Sequence, residues 1–308
     1  MNILVTGGTG FIGQPLCREL VRRGHSLTVL SRQGERALRV LPSGTRVLAD
    51  LQEIDADHEI DAVINLAGEG IADRRWSDKR KQQLIDSRVG VTRALGELFN
   101  RLKKRPAVLI NGSAVGFYGN AGAAELDESS PAARRDFSYL LCDAWEQEAR
   151  RIAGQETRLC ILRTGVVLAR GGGMMARLLP VYRLGLGARL GDGSQWLSWV
   201  HLDDMLAMIL LCLESPAAKG VFNAVAPQPV THARFHEMLA AHCRRPGFLR
   251  VPAWPLRVAL GEMSVLLLGG QRVMPRRLLE QGFRFRFASL DDAFSEILAG
   301  RGGAQLNG

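Results

Sequence analysis

A glycine-rich turn near the start of the chain limits what this sequence can fold into. It follows an apolar run, Asn2 to Thr6, that is typical of a buried strand, and apolar residues then recur at helical spacing as far as Val21. Glycines between a strand and a helix let backbone N–H groups approach a phosphate at the positive end of the helix. The turn therefore predicts a dinucleotide site formed by Gly7, Thr9, Gly10, Phe11, Ile12 and Gly13.

Strand and helix patterns alternate after this turn. Apolar runs predict further strands at 26–31, 46–49, 62–65, 108–112 and 158–163, and helical patterns cover 78–102 and 143–153. This alternation indicates an α/β fold, a Rossmann doubly wound parallel sheet that binds ligands at the carboxyl ends of its strands.

The pattern changes after Gly165. Gly171, Gly172 and Gly173 predict a flexible break, and later helices are predicted near 231–243, 254–268 and 289–299. We therefore expect three regions. They are an NADP-binding Rossmann domain at 1–165, to which segments near 199–226 return, a smaller mixed C-terminal lobe at 166–300 that holds the substrate, and a tail at 301–308.

Composition excludes several classes of function. The longest apolar stretch, 205–213, is too short to span a bilayer, so no membrane partner is expected. Five cysteines are scattered without metal-like spacing, which predicts no metal site. With no leader pattern at Met1, reduced thiols and a cytoplasmic location are expected.

The net charge of +9 does not indicate a nucleic-acid partner. The basic residues are mostly arginines spread along the whole chain, and no aromatic residues interleave with them to stack on bases. Solvated helix faces account for this charge, which also favours an anionic cofactor and substrate.

The end of the second strand predicts which dinucleotide binds. NAD-binding folds place an acid there, but this chain has Ser31 and Arg32, which suit a 2′-phosphate. The sequence therefore predicts NADP(H).

Other residues expected near the cofactor follow later strands or lie on the long helix: Asp50 near the adenine; Leu66, Ala67 and Gly68 near the middle of the cofactor; Thr164; and Arg88. Arg88 is expected to bind an anionic substrate or the phosphate on the nicotinamide side, and its alternative role is a surface salt bridge.

Several motifs together resemble the extended short-chain dehydrogenase/reductase superfamily. They are the glycine-rich turn, Asn65-Leu66-Ala67-Gly68, Ser113 to Gly119 and Trp199 to Asp204. Glu69, Trp76, Ser87-Arg88 and Cys142 to Glu146 point to a narrower group within it. More narrowly, the chain resembles the atypical "epimerase family protein" subfamily, which is similar to nucleoside-diphosphate sugar epimerases. The short C-terminal domain that marks this subfamily is represented by 270–275 and Gly282-Phe283.

This resemblance implies an NADP-dependent oxidoreductase or isomerase. Its substrate would be a small carbonyl compound, an alcohol or a nucleotide sugar. The superfamily often forms homodimers through two helices, for which 78–102 and 138–153 are the candidates here.

The chain departs from the catalytic pattern of the superfamily, in which a lysine follows the catalytic tyrosine by four residues. Tyr139 is followed by Asp143, and the other alignment puts Ser138 and Cys142 in the two positions. The polarising serine or threonine of the superfamily aligns with Ala114, one residue after Ser113. Ser113, Tyr139 and Cys142 are therefore the catalytic candidates. The alternative is a non-catalytic NADP(H) sensor.

Overall fold

Seven parallel strands form the central sheet of the structure, a computed structural model that describes residues 1–299. The strands are β1 (Asn2–Thr6), β2 (Ser26–Leu30), β3 (Arg46–Leu48), β4 (Ala62–Asn65), β5 (Val108–Ala114), β6 (Arg158–Thr164) and β7 (Gly220–Ala224). Their order is β7-β6-β5-β4-β1-β2-β3. The strand order reverses between β1 and β4, which opens a crevice at their carboxyl ends. The Rossmann-type α/β fold predicted from the sequence is confirmed.

Helices cover both faces of this sheet and build the C-terminal lobe. They are α1 (Gly13–Arg22), α2 (Gly34–Val40), α3 (Asp78–Ile85), α4 (Val91–Arg101), α5 (Phe137–Ala153), α6 (Gly173–Arg183), α7 (Leu202–Glu214), α8 (His232–His242), α9 (Ala253–Leu260), α10 (Val265–Leu268), α11 (Arg276–Glu280) and α12 (Leu290–Ala299). One π-helical turn, Asp86–Gly90, joins α3 to α4, and short 3₁₀ turns occur at Leu51–Glu53, Val115–Tyr118 and Gly261–Ser264.

The core lies on both sides of the sheet because successive strand residues point to opposite faces. Ile3 and Val5 pack in the cluster that includes α1 and α7, whereas Leu4 packs in the cluster that includes α4. This arrangement explains why the strands are continuously apolar, since a parallel sheet is covered on both faces. No helix among residues 1–299 combines the length and the apolar character needed to cross a membrane.

Four pairs of short strands lie outside the central sheet, most of them in the C-terminal lobe with its helices. The strand pairs are Glu125–Leu126 with Arg272–Val273, Val166–Leu168 with Trp199–His201, Ala188–Leu190 with Leu249–Val251, and Trp196–Leu197 with Val230–Thr231. A third core, which includes Trp199, Phe235 and Phe294, holds this lobe together. The predicted tail at 301–308 lies outside the described residues.

Helix α6 begins within the predicted glycine break. A Cβ at Gly172 or Gly173 would lie 2.2 Å or 2.9 Å from the ring of Phe11. The glycines therefore allow α6 to approach the glycine-rich turn, and the break is shorter than the sequence suggested.

Asp204 joins α7 to the segment that precedes α12. Its carboxylate is 2% exposed and accepts hydrogen bonds from the backbone N–H groups of Arg286 (2.8 Å) and Phe287 (2.9 Å). Burial raises the pKa of Asp204, although these two N–H groups oppose the shift.

We predict that Asp204→Ala lowers the free energy of unfolding by about 2–4 kcal/mol, because the buried N–H of Phe287 and the partly buried N–H of Arg286 lose their acceptor. Urea unfolding measures this loss. Asp203→Ala is the control, since Asp203 binds the partly exposed Arg286 guanidinium at 3.0 Å and should lose less than about 1 kcal/mol. Equal losses in the two variants would contradict the anchoring role.

Candidate cofactor and active site

The glycine-rich turn connects β1 to α1 and depends on two of its glycines. Gly7 has a φ of +72°, and a Cβ there would lie 2.4 Å from the Leu66 carbonyl oxygen. A Cβ at Gly13 would lie 2.2 Å from the Gly7 carbonyl oxygen. Thr9 is half-buried and Gly10 is exposed, so the backbone at the start of α1 is open to a ligand. This cradle fits a dinucleotide pyrophosphate.

The segment after β4 lies beside this turn. The backbone N–H of Leu66 donates to the Thr6 carbonyl at 3.1 Å, and Ala67 is buried. Gly68 is exposed, and a Cβ there would lie 2.9 Å from the guanidinium carbon of Arg88. Leu66, Ala67 and Gly68 therefore lie beside the crevice that the turn opens.

Arg88 lies in the π-helical turn and points towards the segment after β4. Its guanidinium donates to the carbonyl oxygens of Glu69 (2.8 Å) and Leu84 (3.2 Å) and lies 5.5 Å from the Trp145 ring centroid. Burial lowers the pKa of Arg88. The arginine binds backbone carbonyls at the crevice, so the surface salt bridge considered for it does not describe its position.

The end of β2 carries the groups predicted to select NADP(H). The Ser31 hydroxyl accepts a hydrogen bond from the Gln33 N–H at 3.3 Å. The side chain of Arg32 is 84% exposed, and its guanidinium lies 3.8 Å from the Glu69 carboxylate. The exposed guanidinium is therefore accessible to a phosphate.

Asp50 and Thr164 lie at the ends of other strands. The Asp50 carboxylate accepts from the Gln52 N–H at 2.9 Å and caps the 3₁₀ turn after β3. The Thr164 hydroxyl donates to the Leu162 carbonyl at 3.2 Å within β6. Both side chains therefore form hydrogen bonds with nearby backbone groups. Neither residue is close to the Gly7–Gly13 turn in the sequence.

The two alignments that the sequence left open place their residues on different parts of α5. Ser138, Cys142 and Glu146 are four residues apart and are all buried, whereas Tyr139 and Asp143 are half-buried. A Cβ at Gly116 would lie 3.2 Å from the Ser138 Cβ and 3.7 Å from the Cys142 sulfur. Ser138 and Cys142 therefore face the carboxyl end of β5.

Tyr139 belongs to a neighbouring aromatic group. Its ring centroid lies 5.5 Å from that of Phe117, and the Arg135 guanidinium lies 5.6 Å from the Tyr139 centroid. Tyr139 is thus separated from the helix face that carries Ser138 and Cys142.

Ser113 is part of a buried charged network that sequence reasoning missed. Its hydroxyl donates to the Glu146 carboxylate at 2.8 Å, and the Arg163 guanidinium binds the same carboxylate at 2.8 and 3.0 Å. Arg163 also donates to the Tyr118 hydroxyl at 3.1 Å. The i, i+4 spacing of Cys142 and Glu146 was a usable signal for Glu146, because such residues share a helix face.

The environment of Cys142 keeps its thiol protonated at neutral pH. Burial and the nearby Glu146 carboxylate raise the pKa of Cys142 to about 11, while the Ala114 N–H, Arg88 and the Ser113 hydroxyl oppose this shift. The group is therefore an S–H donor and not a thiolate nucleophile.

Comparisons with known proteins agree with this architecture. The profile of the "NAD dependent epimerase/dehydratase family" matches residues 3–225, and that of a domain of unknown function, DUF1731, matches 251–297. Epimerase family protein YfhF of Bacillus subtilis is 38% identical over 303 residues, covering 98% of this chain and 99% of that protein.

Two solved structures extend the comparison. Human epimerase family protein SDR39U1, crystallised with NADPH, is 35% identical with a TM-score of 0.88, covering 98% of this chain and 100% of the human one. The nucleoside-diphosphate sugar epimerase from Corynebacterium glutamicum is 28% identical with a TM-score of 0.77, covering 97% of this chain and 58% of that chain.

We predict that Gly13→Ala weakens NADPH binding at least about tenfold, because the new Cβ would overlap backbone atoms that cannot move without opening the turn. Fluorescence titration with NADPH measures the change. Gly34→Ala is the control, since a Cβ at Gly34 meets nothing within 4 Å. Unchanged NADPH affinity in Gly13→Ala would show that the turn does not hold the cofactor.

A second prediction concerns the buried network. Glu146→Gln should lower the free energy of unfolding by about 3–5 kcal/mol, because Arg163 would remain buried without a carboxylate. Glu148→Gln, on the same helix, removes a carboxylate bound at 2.6 Å to the largely exposed Arg151 and should change stability by less than about 1 kcal/mol. Chemical unfolding of both variants tests this difference, and similar losses would argue against a special role for Glu146.

Proposed function

Because the chain belongs to the NAD dependent epimerase/dehydratase family, we propose that it is an NADP(H)-dependent oxidoreductase or an epimerase-like isomerase. The observation that carries this proposal is the glycine-rich turn with Arg32, and no acid, directly after β2. The NADPH in the crystal structure of the human relative supports the same cofactor. The substrate class that we propose is a small carbonyl compound, an alcohol or a nucleotide sugar.

The residues at the crevice fit NADP(H). The turn from Gly7 to Gly13 would hold the pyrophosphate, Arg32 the 2′-phosphate and Leu66 to Gly68 the middle of the cofactor. Arg88 adds a fixed positive charge beside Gly68. When bound, the nicotinamide supplies hydride chemistry, and the protein must supply proton transfer to or from the substrate oxygen.

We place proton donation at Cys142, with Tyr139 as the other candidate. The Cys142 thiol is protonated at neutral pH and faces the end of β5, so it can give a proton to an oxygen that gains negative charge. Ser113 has a different role, because its hydroxyl hydrogen is directed at Glu146. Its oxygen lone pairs remain available to accept a hydrogen bond from a substrate hydroxyl or from the Cys142 thiol.

A specific observation also favours the alternative, an NADP(H) sensor without turnover. Helix α6 packs its first glycines against Phe11, which belongs to the cofactor turn. A dinucleotide bound at this turn would therefore act directly on an element of the C-terminal lobe. The lysine of the superfamily is absent, which is consistent with lost chemistry.

Three further features are part of this proposal. We propose a domain boundary near 165, with α7 and β7 returning to the first domain; their packing on the central sheet supports it. We also propose a homodimer through the helices at 78–102 and 138–153, and a cytoplasmic location.

A substrate screen followed at the NADPH absorbance band tests the enzyme against the sensor. We predict that an aldehyde, ketone or nucleotide sugar oxidises NADPH and that Cys142→Ala lowers kcat at least about a hundredfold with an unchanged Kd for NADPH. Tyr139→Phe, the matched variant, should lower kcat less than about threefold if Cys142 is the donor. The reverse ranking would assign the donor to Tyr139.

The screen also has an outcome that contradicts catalysis. Tight NADPH binding without oxidation by any compound would reject the enzyme and support the sensor. In that case, limited proteolysis of the C-terminal lobe should change when NADPH is added.

A further inference from the structure

An ion pair crosses the crevice in which the cofactor would lie. Arg32 follows β2 and Glu69 follows the Leu66–Gly68 segment after β4, with β1 between the two strands. Strands two places apart in a sheet are roughly 10 Å apart, so only long side chains can connect their ends. The Arg32 guanidinium and the Glu69 carboxylate do so at 3.8 Å, beside the carboxyl end of β1 where the glycine-rich turn begins.

Glu69 is the fixed member of this pair. Its carboxylate binds the guanidinium of Arg80, whose side chain is only 8% exposed, and its carbonyl accepts a hydrogen bond from Arg88 at 2.8 Å. Arg80 also donates to the Gly70 carbonyl at 2.8 Å. Arg32, in contrast, is 84% exposed and has the freedom to turn away.

The cluster still has an unused donor. The buried Nε–H of Arg80 has no hydrogen-bond partner among residues 1–299. Arg32 and Arg80 thus lie at the Glu69 carboxylate, and Arg88 binds the carbonyl oxygen of the same residue. The excess positive charge suits an anionic ligand.

We infer that Glu69 sets the selectivity between NADPH and NADH by competing with the 2′-phosphate for Arg32. This inference rests on the proposed NADP(H) binding. A phosphate would share the Arg32 guanidinium with this carboxylate and be repelled by it, whereas the neutral 2′-hydroxyl of NADH is not repelled. Glu69 therefore weakens NADPH binding relative to NADH and eases release of the phosphorylated cofactor.

Equilibrium titration of the full chain with NADPH and with NADH tests the inference. Glu69→Gln should tighten NADPH binding about threefold to tenfold, since an exposed ion pair and one like-charge repulsion are removed. It should change NADH binding less than about twofold, because the 2′-hydroxyl carries no charge. Glu35→Gln removes a carboxylate whose side chain is 93% exposed and which pairs only loosely with Arg39 at 4.0 Å. It controls for the change in net charge and should leave both affinities within about twofold.

A double-mutant cycle separates competition for Arg32 from a general charge effect. Arg32→Gln should weaken NADPH binding and not NADH binding. In a chain that already carries Arg32→Gln, Glu69→Gln should lose most of the increase in NADPH affinity that it gives in the wild type. An equal gain with and without Arg32 would overturn the inference. An unchanged ratio of NADPH to NADH affinity in Glu69→Gln would also overturn it.

Two controls keep the test decisive. If Glu69→Gln does not fold because Arg80 loses its carboxylate, the double replacement Glu69→Gln with Arg80→Gln removes both charges together. It should still favour NADPH more than the wild type does. A wild-type chain that binds neither nucleotide would reject the proposed function itself, whereas binding of both with an unaltered ratio would reject only the role of Glu69.

Discussion

The buried amide of Asn65 holds together the strand ends on which the site depends. It is fully buried, accepts the Thr6 hydroxyl at 2.6 Å and donates to Asn111 at 2.6 Å and to Thr92 at 2.9 Å. An unsatisfied buried amide is unfavourable, so these partners fix one arrangement of β1, β4 and β5. The glycine-rich turn follows β1, the Leu66–Gly68 segment follows β4, and Ser113 lies two residues after Asn111 within β5.

Two charge systems with different properties surround this centre. On one side of the crevice, arginines outnumber the single carboxylate of Glu69 and Arg32 is exposed, which suits reversible binding of an anion. On the other side, Glu146 and Arg163 are buried and paired with each other. They therefore fix the positions of α5 and β6 and leave little net charge. Burial and Glu146 therefore dominate the environment of Cys142, while Arg88 lies close to both charge systems.

The sequence was sufficient to predict the features that depend on a local pattern of residues. The turn, the strands and the absence of an acid after β2 are readable because glycine spacing, apolar runs and strand ends are local signals. The start of α6 was missed because Gly171 to Gly173 predict a break, although two of these glycines are needed for contact with Phe11. The pairs Glu146–Arg163 and Arg32–Glu69 join residues far apart in the chain, and no periodicity predicts which strand ends meet.

Helix α5 carries no lysine, so the charges around Cys142 come from other residues. One of the two alignments puts Cys142 at the position of the superfamily's lysine, and the cation near Cys142 is Arg88, which comes from the π-helical turn. Arg88 favours a thiolate, but burial and Glu146 act more strongly, so the pKa of Cys142 stays near 11. A group with such a pKa is a poor base at neutral pH but remains a competent acid. In the role proposed above, Cys142 would therefore act as the proton donor that reduction of a carbonyl compound requires.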